Sequence, residues 1–450
     1  MANQFLDAQE YSNVMLLLLK NQLVMGRLVD GQFKNEVTDE NGLTVSVKRP
    51  PRFIDKKDGT ANLAAQDIVT GSAPVSVDQY SKVHVEIGDI EYVSSYNALM
   101  RNATMRSAAS TLAHSIDGYL IGQTEKFHSW VAGGEPTDAD PAGNASDGTV
   151  GIASPSQAMA AHTRLMEMGV PNESLSGVVN FVDGQKIRGS MQTNFTEGLN
   201  TTALQRTRIP IISEVDWYAT QQLPLLTAGT RVQGDGETTG AQVAGASQTS
   251  DYEDVKGSAG NAQMTQTLSI DGLTPTTGTV KAGEVFTIQG VFAWDWRAQQ
   301  STDHLQQFRV VSDATADGTG AATLTISPPI IVPGTGASSS IQDTNSAFGT
   351  VDAAPADNAY IVFVGAASSK SRIRSVFHKR AISLVSARLQ MPFTGTASYA
   401  VDPDTGIAIR YWRGSDISTG KHIHRWDCLY GSEVLDPFLG TRLCGTSAAP

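Results

Sequence analysis

The sequence predicts an α+β chain in which a β-rich segment interrupts a second fold. Three observations lead to this prediction. A long amphipathic helix is expected over Ser95–Phe127, the stretch Leu226–Gly365 is acidic and rich in Gly, Thr, Ala and Ser, and an apolar β-rich pattern begins at Lys370 and continues almost to the C-terminus. With 450 residues, the chain exceeds what one hydrophobic core usually organises, which favours two or three domains.

The charge of the chain is unevenly distributed. Segment 231–357 contains five basic and fourteen acidic residues, so nine of the twelve net negative charges fall within it. A net charge of −12 argues against a protein that binds nucleic acid by bulk attraction, because such proteins concentrate Lys and Arg to displace counterions from phosphates. The rest of the chain is close to neutral.

The number of cysteines and the length of the apolar runs indicate the cellular compartment of the protein. Cys428 and Cys444 are too few for a disulfide scaffold, so a reducing compartment is expected. The apolar run Val14–Leu19 is too short to span a bilayer, and no basic residue precedes it as in a secretory signal. We therefore expect neither an export signal nor a transmembrane helix.

The N-terminal part of the chain predicts a helix followed by a β arm. Leu, Met and Val dominate Asn13–Leu28, which is typical of a buried helix. Alternation over Leu43–Val47 predicts a strand, and the Pro50-Pro51 pair ends it. A second alternation over Lys82–Ile87 predicts another strand, and we expect the two strands to form an extended hairpin arm.

The long helix is the strongest local signal. Ser94 or Ser95 is the candidate N-cap, and no proline follows until Pro136. Apolar residues recur at a spacing of three to four: Leu99, Met105, Ala109, Leu112, Ile116 and Leu120. Thirty helical residues would span roughly 45 Å. Such a helix is expected to be a structural spine.

Further elements follow the spine. Ser154 is expected to cap a helix that runs to Met168 and ends at Gly169. A strand over Gly177–Val182 then leads into a helical or irregular segment. Within the acidic stretch, strands are predicted at Val285–Gly290, Phe308–Ser312, Ala322–Ser327 and Ala359–Val364. Short strands separated by Gly and Asp turns predict a small barrel or sandwich.

Motifs for chemistry are largely lacking. The sequence contains no phosphate-binding loop, dinucleotide fingerprint, His-Glu-x-x-His motif or Gly-x-Ser-x-Gly motif. The best metal candidate is His422 and His424 with Asp427 and Cys428, because a strand would place both imidazoles on one side. Two polar residues on the outer face of a terminal strand are the simpler interpretation. We therefore predict no catalytic, cofactor-binding or metal-binding residues.

Two pairs of residues admit alternative interpretations. His114 and Asp117 could pair at i, i+3 on the spine helix, most simply as a surface contact. Trp294 and Trp296 could form an aromatic platform for carbohydrate, although a loop packed on the β module is the simpler interpretation.

The densest basic motif outside the C-terminal part surrounds the double proline. Lys48, Arg49 and Arg52 lie within five residues of one another. An electrostatic contact and a solvated arm both remain open as interpretations of this motif.

The order of these features along the chain resembles that of a known protein family. The segments concerned are Lys20–Met25, Val47–Phe53, the spine Ser95–Phe127, Leu223–Thr227, Thr276–Val291 and Phe377–Val385. Together they resemble the major capsid proteins of tailed bacteriophages, specifically the P22-like coat-protein family with the HK97 fold. The resemblance covers nearly the whole chain, with Gly234–Gln263 and Ile331–Pro355 left unmatched.

The resemblance implies a domain order. Residues 1–42 would be an N-terminal arm, 43–93 an extended β arm, 94–150 the spine helix and peripheral domain, 151–227 the first part of an axial domain, 228–368 an inserted small all-β barrel domain, and 369–450 the return to the axial and peripheral domains and the C-terminus.

The resemblance also implies a function without enzymatic activity or cofactor. The chain would self-assemble into hexamers and pentamers of an icosahedral shell that encloses double-stranded DNA without sequence-specific binding. Implied partners are a scaffolding protein, a portal protein and a possible decoration protein, with no membrane. The expected location is the virion, after assembly in the bacterial host cytoplasm.

Within that resemblance, Lys48, Arg49 and Arg52 become candidate intersubunit contacts, because Arg can clamp carboxylates through two hydrogen bonds. Reversing Arg49 and Arg52 to Glu is then expected to impair assembly without preventing folding. Two other classes stay open: a cellular nanocompartment shell with the same fold, and a secreted β-rich adhesion or carbohydrate-binding protein.

Overall fold

The computed structural model describes residues 8–33, 43–55, 66–88, 104–131, 155–192, 211–231, 241–257, 263–365, 367–416, 418 and 420–443. The helices in these ranges are α1 Ala8–Gln22, α2 Met105–Gly122, α3 Pro155–Glu167, α4 Phe181–Gln192, α5 Tyr252–Val255 and α6 Ser339–Phe348. The strands are β1 Thr44–Lys48, β2 Ser72–Ser76, β3 Gln79–Gly88, β4 Ser129–Val131, β5 Leu175–Val179, β6 Asp216–Ala219, β7 Leu225–Thr227, β8 Gln242–Val243, β9 Gln266–Asp271, β10 Thr279–Val280, β11 Val285–Asp295, β12 Gln300–Val310, β13 Ala314–Thr315, β14 Ala322–Ser327, β15 Ile361–Phe363, β16 Lys370–Arg372, β17 Arg374–His378, β18 Ile382–Ala387, β19 Thr396–Val401, β20 Ala408–Asp416, β21 Lys421–Val434 and β22 Gly440–Leu443.

The chain divides into two compact units. Residues 1–47, 74–123 and 382–433 form the first unit, and residues 48–73, 124–381 and 434–450 form the second. The second unit therefore contains the predicted inserted segment 228–368 together with the predicted axial segment 151–227. None of the helices in the described ranges is both long and apolar enough to cross a membrane.

The first unit is built on an antiparallel sheet with the strand order β18, β21, β20, β19, and β3 pairs with β21 as well. Helices α1 and α2 contact each other and pack near this sheet. The ring of Tyr11 on α1 lies 5.4 Å from that of Tyr411, and Tyr119 on α2 meets Tyr430 edge to face at 5.7 Å. One face of the sheet is thereby buried.

The predicted N-terminal helix and spine are both present, with shifted bounds. α1 begins at Ala8 and ends at Gln22, ahead of a 3₁₀ turn at Met25–Arg27. α2 covers 18 residues, about 27 Å, and continues into a 3₁₀ turn at Gln123–Lys126. Leu112, Ile116 and Leu120 are buried as the spacing predicts. Residues 95–103 of the predicted spine lie outside the described ranges.

The predicted arm pairs differently from the expectation. β1 forms a two-stranded ladder with β2, whereas β3 pairs with β21 over the ten residues Gln79–Gly88. The hairpin predicted between β1 and β3 is therefore wrong in its second strand. Alternation identifies a strand but not its partner, and Pro74 within β2 weakens the strand signal there.

In the second unit, one core lies under a five-stranded sheet with the order β4, β22, β17, β5, β6. Ala158, Ala161 and Leu165 of α3 pack into this core. As predicted, α3 begins at Pro155 and ends before Gly169, whose φ of +76° suits glycine. β5 ends at Val179, earlier than predicted, because α4 already begins at Phe181.

A second core lies inside the sheet with the order β15, β11, β12, β14, β9, β8. Backbone hydrogen bonds also join its two edge strands: Val243 N–H donates to the Ala359 oxygen at 2.9 Å, and Ile361 N–H donates to the Ala241 oxygen at 2.8 Å. The sheet therefore closes on itself around Phe286, Phe308 and Phe363. The four strands predicted in the acidic segment are present, although β12 begins at Gln300 and ends at Val310, earlier than the predicted Phe308–Ser312.

The acidic segment is not purely β. Helix α6 occupies Ser339–Phe348, within a stretch that carries no recognisable sequence signal. Its N-cap is Ser338, whose hydroxyl accepts a hydrogen bond from Ile341 N–H at 3.4 Å. Apart from this cap, a run of Ser, Asn, Thr and Asp gives little apolar periodicity, so the helix could not be predicted.

The two ends of the predicted insertion lie side by side. β7 precedes the segment 228–368 and pairs antiparallel with β16, which follows it, so that Leu226 faces Ser371. We call these two paired strands the neck. The chain therefore leaves and returns at neighbouring positions.

Candidate functional site

The base of the β arm holds the basic motif predicted as a contact site. Lys48 is exposed, but Arg49 is only 8% exposed. Arg49 Nε donates to the carbonyl oxygen of Leu435 at 2.9 Å, and Nη1 donates to that of Lys256 at 3.2 Å. The Arg49 guanidinium thus joins three distant parts of its own chain.

Two glycines allow this close approach. Gly257 has a φ of +88°, and a Cβ there would lie 2.2 Å from Arg49 Nη1. A Cβ on Gly71 would lie 1.6 Å from the carbonyl oxygen of Lys256. Since real Cβ atoms do not approach so closely, both positions exclude any side chain in this backbone arrangement.

Arg52 is held by aromatic rings. Its guanidinium carbon lies 4.8 Å from the centre of the Trp296 ring and 5.5 Å from that of Phe348. Phe348 in turn stacks on Tyr252, with ring centres 3.7 Å apart. Such cation–π contacts contribute roughly 0.5–2 kcal/mol each. The arm base is therefore fixed on helices α5 and α6.

The carbohydrate platform considered for Trp294 and Trp296 is not an open surface. Trp296 lies within cation–π distance of Arg297, at 5.2 Å, as well as of Arg52. The indole nitrogen of Trp294 is buried. The simpler interpretation, in which these tryptophans pack on the β module, agrees with these contacts.

The basic motif thus divides into two parts. Arg49 and Arg52 contact their own chain, whereas Lys48 at the end of β1 is exposed. Because Arg49 bonds two backbone carbonyls from a buried position, its reversal to Glu would place a carboxylate against those oxygens. We therefore no longer expect reversal of Arg49 and Arg52 to leave folding unaffected.

Sequence reasoning missed the buried charges near the neck. Arg231 and Glu284 form an ion pair with 2.6 Å between Nη1 and Oε2, and both side chains are at most 2% exposed. Arg231 Nη2 also donates to the carbonyl oxygen of Gly365 at 2.6 Å. In the sequence, these residues contribute only to the charge count, because nothing marks either as buried.

Three further buried polar contacts hold the second unit together. Arg374 pairs with Asp183, and Arg442 donates to the carbonyl oxygens of Gly283 and Glu125. The backbone N–H of Trp130 donates to the side-chain oxygen of Gln307 at 2.6 Å. The Gln307 amide donates back to the Trp130 carbonyl at 2.8 Å. Burial lowers the pKa of Arg442 to about 9, and the nearby Arg309 adds to this effect.

The histidine motif on β21 is divided between the two faces of the sheet. His422 and His424 point to one side as predicted, but Asp427 points to the other, since strand side chains alternate. His424 is fully buried and its Nδ1 lies 2.6 Å from the Tyr411 hydroxyl. Burial raises the pKa of the Cys428 thiol to about 12. Within the described ranges, no group of three or more His, Cys, Asp or Glu is arranged to hold a metal ion.

Asp117 has a structural role rather than a surface one. Its carboxylate is buried and accepts backbone hydrogen bonds from Val24 at 2.8 Å, Met25 at 3.0 Å and Gly26 at 3.3 Å. Burial raises its pKa, and the three N–H donors partly oppose that rise. Asp117 therefore holds the turn after α1 against the spine helix.

A polar cavity of about 50 Å³ lies in the second unit and is lined in part by Arg164, His128, His304 and Trp296. Burial, reinforced by Arg164, lowers the pKa of His128 to about 3 and that of His304 to about 4. Ligand pockets usually measure about 300–1,000 Å³. This cavity gives no support for an enzymatic site.

Comparison with known proteins adds a family match. The family model described as "P22 coat protein - gene protein 5" matches residues 1–445. The comparison with curated protein sequences found no match.

Among solved structures, the chain is similar to the "Capsid of Ralstonia phage GP4", with 7% identity, 95% of this chain and 90% of that chain covered, and a TM-score of 0.44. It is also similar to a structure from Mycobacterium phage Che8, with 13% identity, 94% and 90% covered, and a TM-score of 0.42. The "CUS-3 coat protein I-domain" shares 26% identity over 28% of this chain and 97% of that chain, with a TM-score of 0.19.

The family model spans nearly the whole chain, including the arm base, the neck and the closed sheet. The chain therefore belongs to the P22 coat protein family and is a major capsid protein, a structural component of a phage shell rather than an enzyme.

Proposed function

We propose that this chain self-assembles into hexamers and pentamers of an icosahedral shell that encloses double-stranded DNA, and that its subunit has the HK97 arrangement. Family membership supports the proposal. The closed sheet of β8, β9, β11, β12, β14 and β15 is proposed as the inserted barrel domain, with bounds 228–368. The pairing of β7 with β16 just outside those bounds supports this assignment.

The remaining domain bounds are part of the same proposal. We assign 1–42 to an N-terminal arm, 43–93 to an extended β arm, 94–150 to the spine and peripheral domain, 151–227 to the first part of the axial domain, and 369–450 to the return. A scaffolding protein and a portal protein are the proposed assembly partners, a decoration protein is a further one, and the host cytoplasm is the proposed place of assembly.

Exposed apolar side chains beside the basic motif of the β arm are the observation that supports subunit assembly. Phe53 is 50% exposed and Ile68 is 74% exposed, although Arg49 and Arg52 fix the adjoining backbone. Large apolar side chains held outward on a fixed segment are typical of protein interaction sites. We propose that Phe53, Ile68 and the neighbouring Lys48 contact an adjacent subunit, while Arg49 and Arg52 position them.

Electron microscopy of the expressed protein tests this function. The chain is expressed alone and together with the genes that neighbour its own, and the products are imaged for capsomers and shells. The double variant Phe53→Ser with Ile68→Ser is expected to fold like the parent protein but to form few shells. Met159→Ser, which removes a 48% exposed apolar side chain from α3, is the matched control and should assemble.

Two outcomes would count against the proposal in different ways. A parent chain that stays monomeric under both conditions would contradict shell formation. Normal shells from the double variant would contradict only the role of the arm.

A further inference from the structure

The outward face of the sheet in the first unit carries alternating cations and aromatic rings. In the ladder, Lys82 faces Asp427, which faces Arg410, and in the next row His84 faces Arg425, which faces Trp412. Directly opposed residues of an antiparallel sheet share a face. Tyr80 lies two residues before Lys82 on β3 and shares that face. We call these side chains the ladder face.

Asp427 supplies the carboxylate that pairs with both arginines of the ladder face. It is fully buried, and its carboxylate pairs with Arg410 Nη2 at 2.5 Å and with Arg425 Nε at 2.6 Å. The Arg425 guanidinium lies 5.6 Å from the Tyr80 ring and 5.8 Å from the Trp412 ring. Both guanidinium groups are therefore fixed in place before any partner arrives.

Positive charge remains after these pairings. Arg410 and Arg425 share the single carboxylate of Asp427, which leaves one of their two positive charges unbalanced. Lys82 is exposed and lies 5.9 Å from the Tyr80 ring, and none of the carboxylates in the described ranges forms an ion pair with it. Glu86, in the following row, is already paired with Lys421. The ladder face thus presents unneutralised cations.

The loop 390–394 extends this face and is held by two hydrogen bonds. Arg410 Nη1 donates to the carbonyl oxygen of Gln390 at 2.6 Å, and Trp412 Nε1 donates to that of Thr394 at 3.0 Å. Between these two anchors, the Phe393 side chain is fully exposed, at 105%. Tyr, Trp and Arg on a preorganised surface beside an exposed Phe are the composition of interaction hot spots.

We propose that the ladder face binds carboxylates from the acidic segment 231–357 of a second copy of this chain. The inference rests on the proposed self-assembly and adds which surfaces meet. The segment carries nine of the twelve net negative charges, and Glu253, Asp254 and Asp357 are exposed in it. Each copy therefore brings both a cationic face and its acidic complement, so the contact can repeat from subunit to subunit.

Zero-length cross-linking tests the contact. Shells are assembled from equal amounts of ¹⁴N- and ¹⁵N-labelled chains, treated with a carbodiimide that joins amines to touching carboxylates, and analysed by mass spectrometry. The expected product links Lys82 to an Asp or Glu within 231–357, with the two peptides carrying different labels in about half of the cases. Lys82→Gln should abolish this product, and Lys421→Gln, on the same face, should retain it.

Other cross-linking results would overturn the inference. Links from Lys82 that join only identically labelled peptides would show a contact within one copy. Links to carboxylates outside 231–357 would show another partner surface. A Lys82 that becomes reactive only when DNA is removed from the shell would point to the genome as the occupant.

A second measurement separates this inference from the proposed function. Lys82→Glu is expected to raise the protein concentration needed for half-maximal assembly several-fold at low salt, and less at high salt, because salt screens the contact. Its monomer melting temperature should match the parent's. If the parent assembles and Lys82→Glu assembles equally well, only the ladder-face contact is refuted. If the parent does not assemble, the shell proposal itself fails.

Discussion

Arg231, near the start of segment 228–368, forms a buried ion pair with Glu284 and also contacts Gly365 near the end of the segment. Nη1 of Arg231 lies 2.6 Å from Oε2 of Glu284, and Nη2 donates to the carbonyl oxygen of Gly365. Glu284 also accepts the backbone N–H groups of Gly229 and Lys281. The Arg231 guanidinium thereby joins the start of the segment to Glu284 and to Gly365, which follows the last strand of the closed sheet.

We predict that Glu284→Ala lowers the free energy of unfolding by about 3–5 kcal/mol, because it leaves the Arg231 guanidinium buried without its counter-charge. Urea denaturation followed by fluorescence measures the change. Asp313→Asn is the matched control, since it breaks an exposed pair with Lys281 and should cost much less. Equal losses in the two variants would show that burial of the pair does not matter.

Gly257→Ala and Gly245→Ala separate backbone strain from steric exclusion. Both glycines have positive φ, +88° and +92°, so either substitution should cost about 1–2 kcal/mol from strain. At Gly245 the added methyl group meets open space, whereas at Gly257 it would lie 2.2 Å from Arg49 Nη1 and 2.7 Å from the carbonyl oxygen of Ser72. We therefore expect a larger loss of stability and a lower shell yield from Gly257→Ala, measured by thermal melting and electron microscopy. Identical melting temperatures would refute the tight fit around Gly257.

Asp117→Ala should destabilise the first unit by about 1–3 kcal/mol. The substitution leaves the backbone N–H groups of Val24, Met25 and Gly26 without their shared acceptor in a buried position. Chemical denaturation measures the loss, and Asp67→Ala, at an exposed position, is the control. A stability unchanged by Asp117→Ala would mean that water or another group replaces the carboxylate.

Acid should weaken the protein through His128. Burial lowers its pKa to about 3 in the folded chain, against about 6.5 when unfolded, with Arg164 as the next cause. Between these two pKa values, the imidazole is therefore protonated in the unfolded state and neutral in the folded state. The stability that His128 contributes is fully present above pH 6.5 and is lost as the pH falls toward 3, at about 1.4 kcal/mol per pH unit.

The variant His128→Phe tests this linkage. Between pH 6 and 4, it should reduce the slope of the unfolding free energy against pH by about 1.4 kcal/mol per pH unit, which corresponds to one proton. This change in slope is expected whatever the effect of the substitution on overall stability. The slope is measured by urea denaturation at several pH values, with His84→Gln, at an exposed strand position, as the control. Parallel curves for His128→Phe and the parent would contradict the buried neutral imidazole.

Local elements were predictable because their signals are local. The helix from Pro155 carries its N-terminal proline and its terminal Gly169 in adjoining sequence, and the strands around Val285 and Ala322 carry alternation and glycine turns. Helix α6 has none of these signals apart from its N-cap, and Pro74 conceals β2. The composition changes at Leu226 and Lys370 coincide with the two paired strands of the neck.

Pairings between distant residues could not be read from the sequence. β3 finds its partner β21 more than 300 residues later, and alternation specifies only which residues share a face. Likewise, the motif Lys48–Arg52 is visibly basic, but the acceptors of Arg49 are backbone carbonyls of Lys256 and Leu435, which any residue possesses. Burial of an arginine by such groups leaves no mark in composition.

Leu226 and Ser371 face each other across the neck, so removal of residues 228–368 would leave two chain ends roughly 5 Å apart. A short turn could rejoin them, and a foreign domain with neighbouring termini could be grafted in their place. The replacement is limited by lost hydrogen bonds and not by the distance between the chain ends. Arg442 would lose the Gly283 carbonyl, and Trp130 would lose the Gln307 amide. A grafted domain must therefore bring its own hydrogen-bond partners for Arg442 and Trp130 to serve this shell subunit.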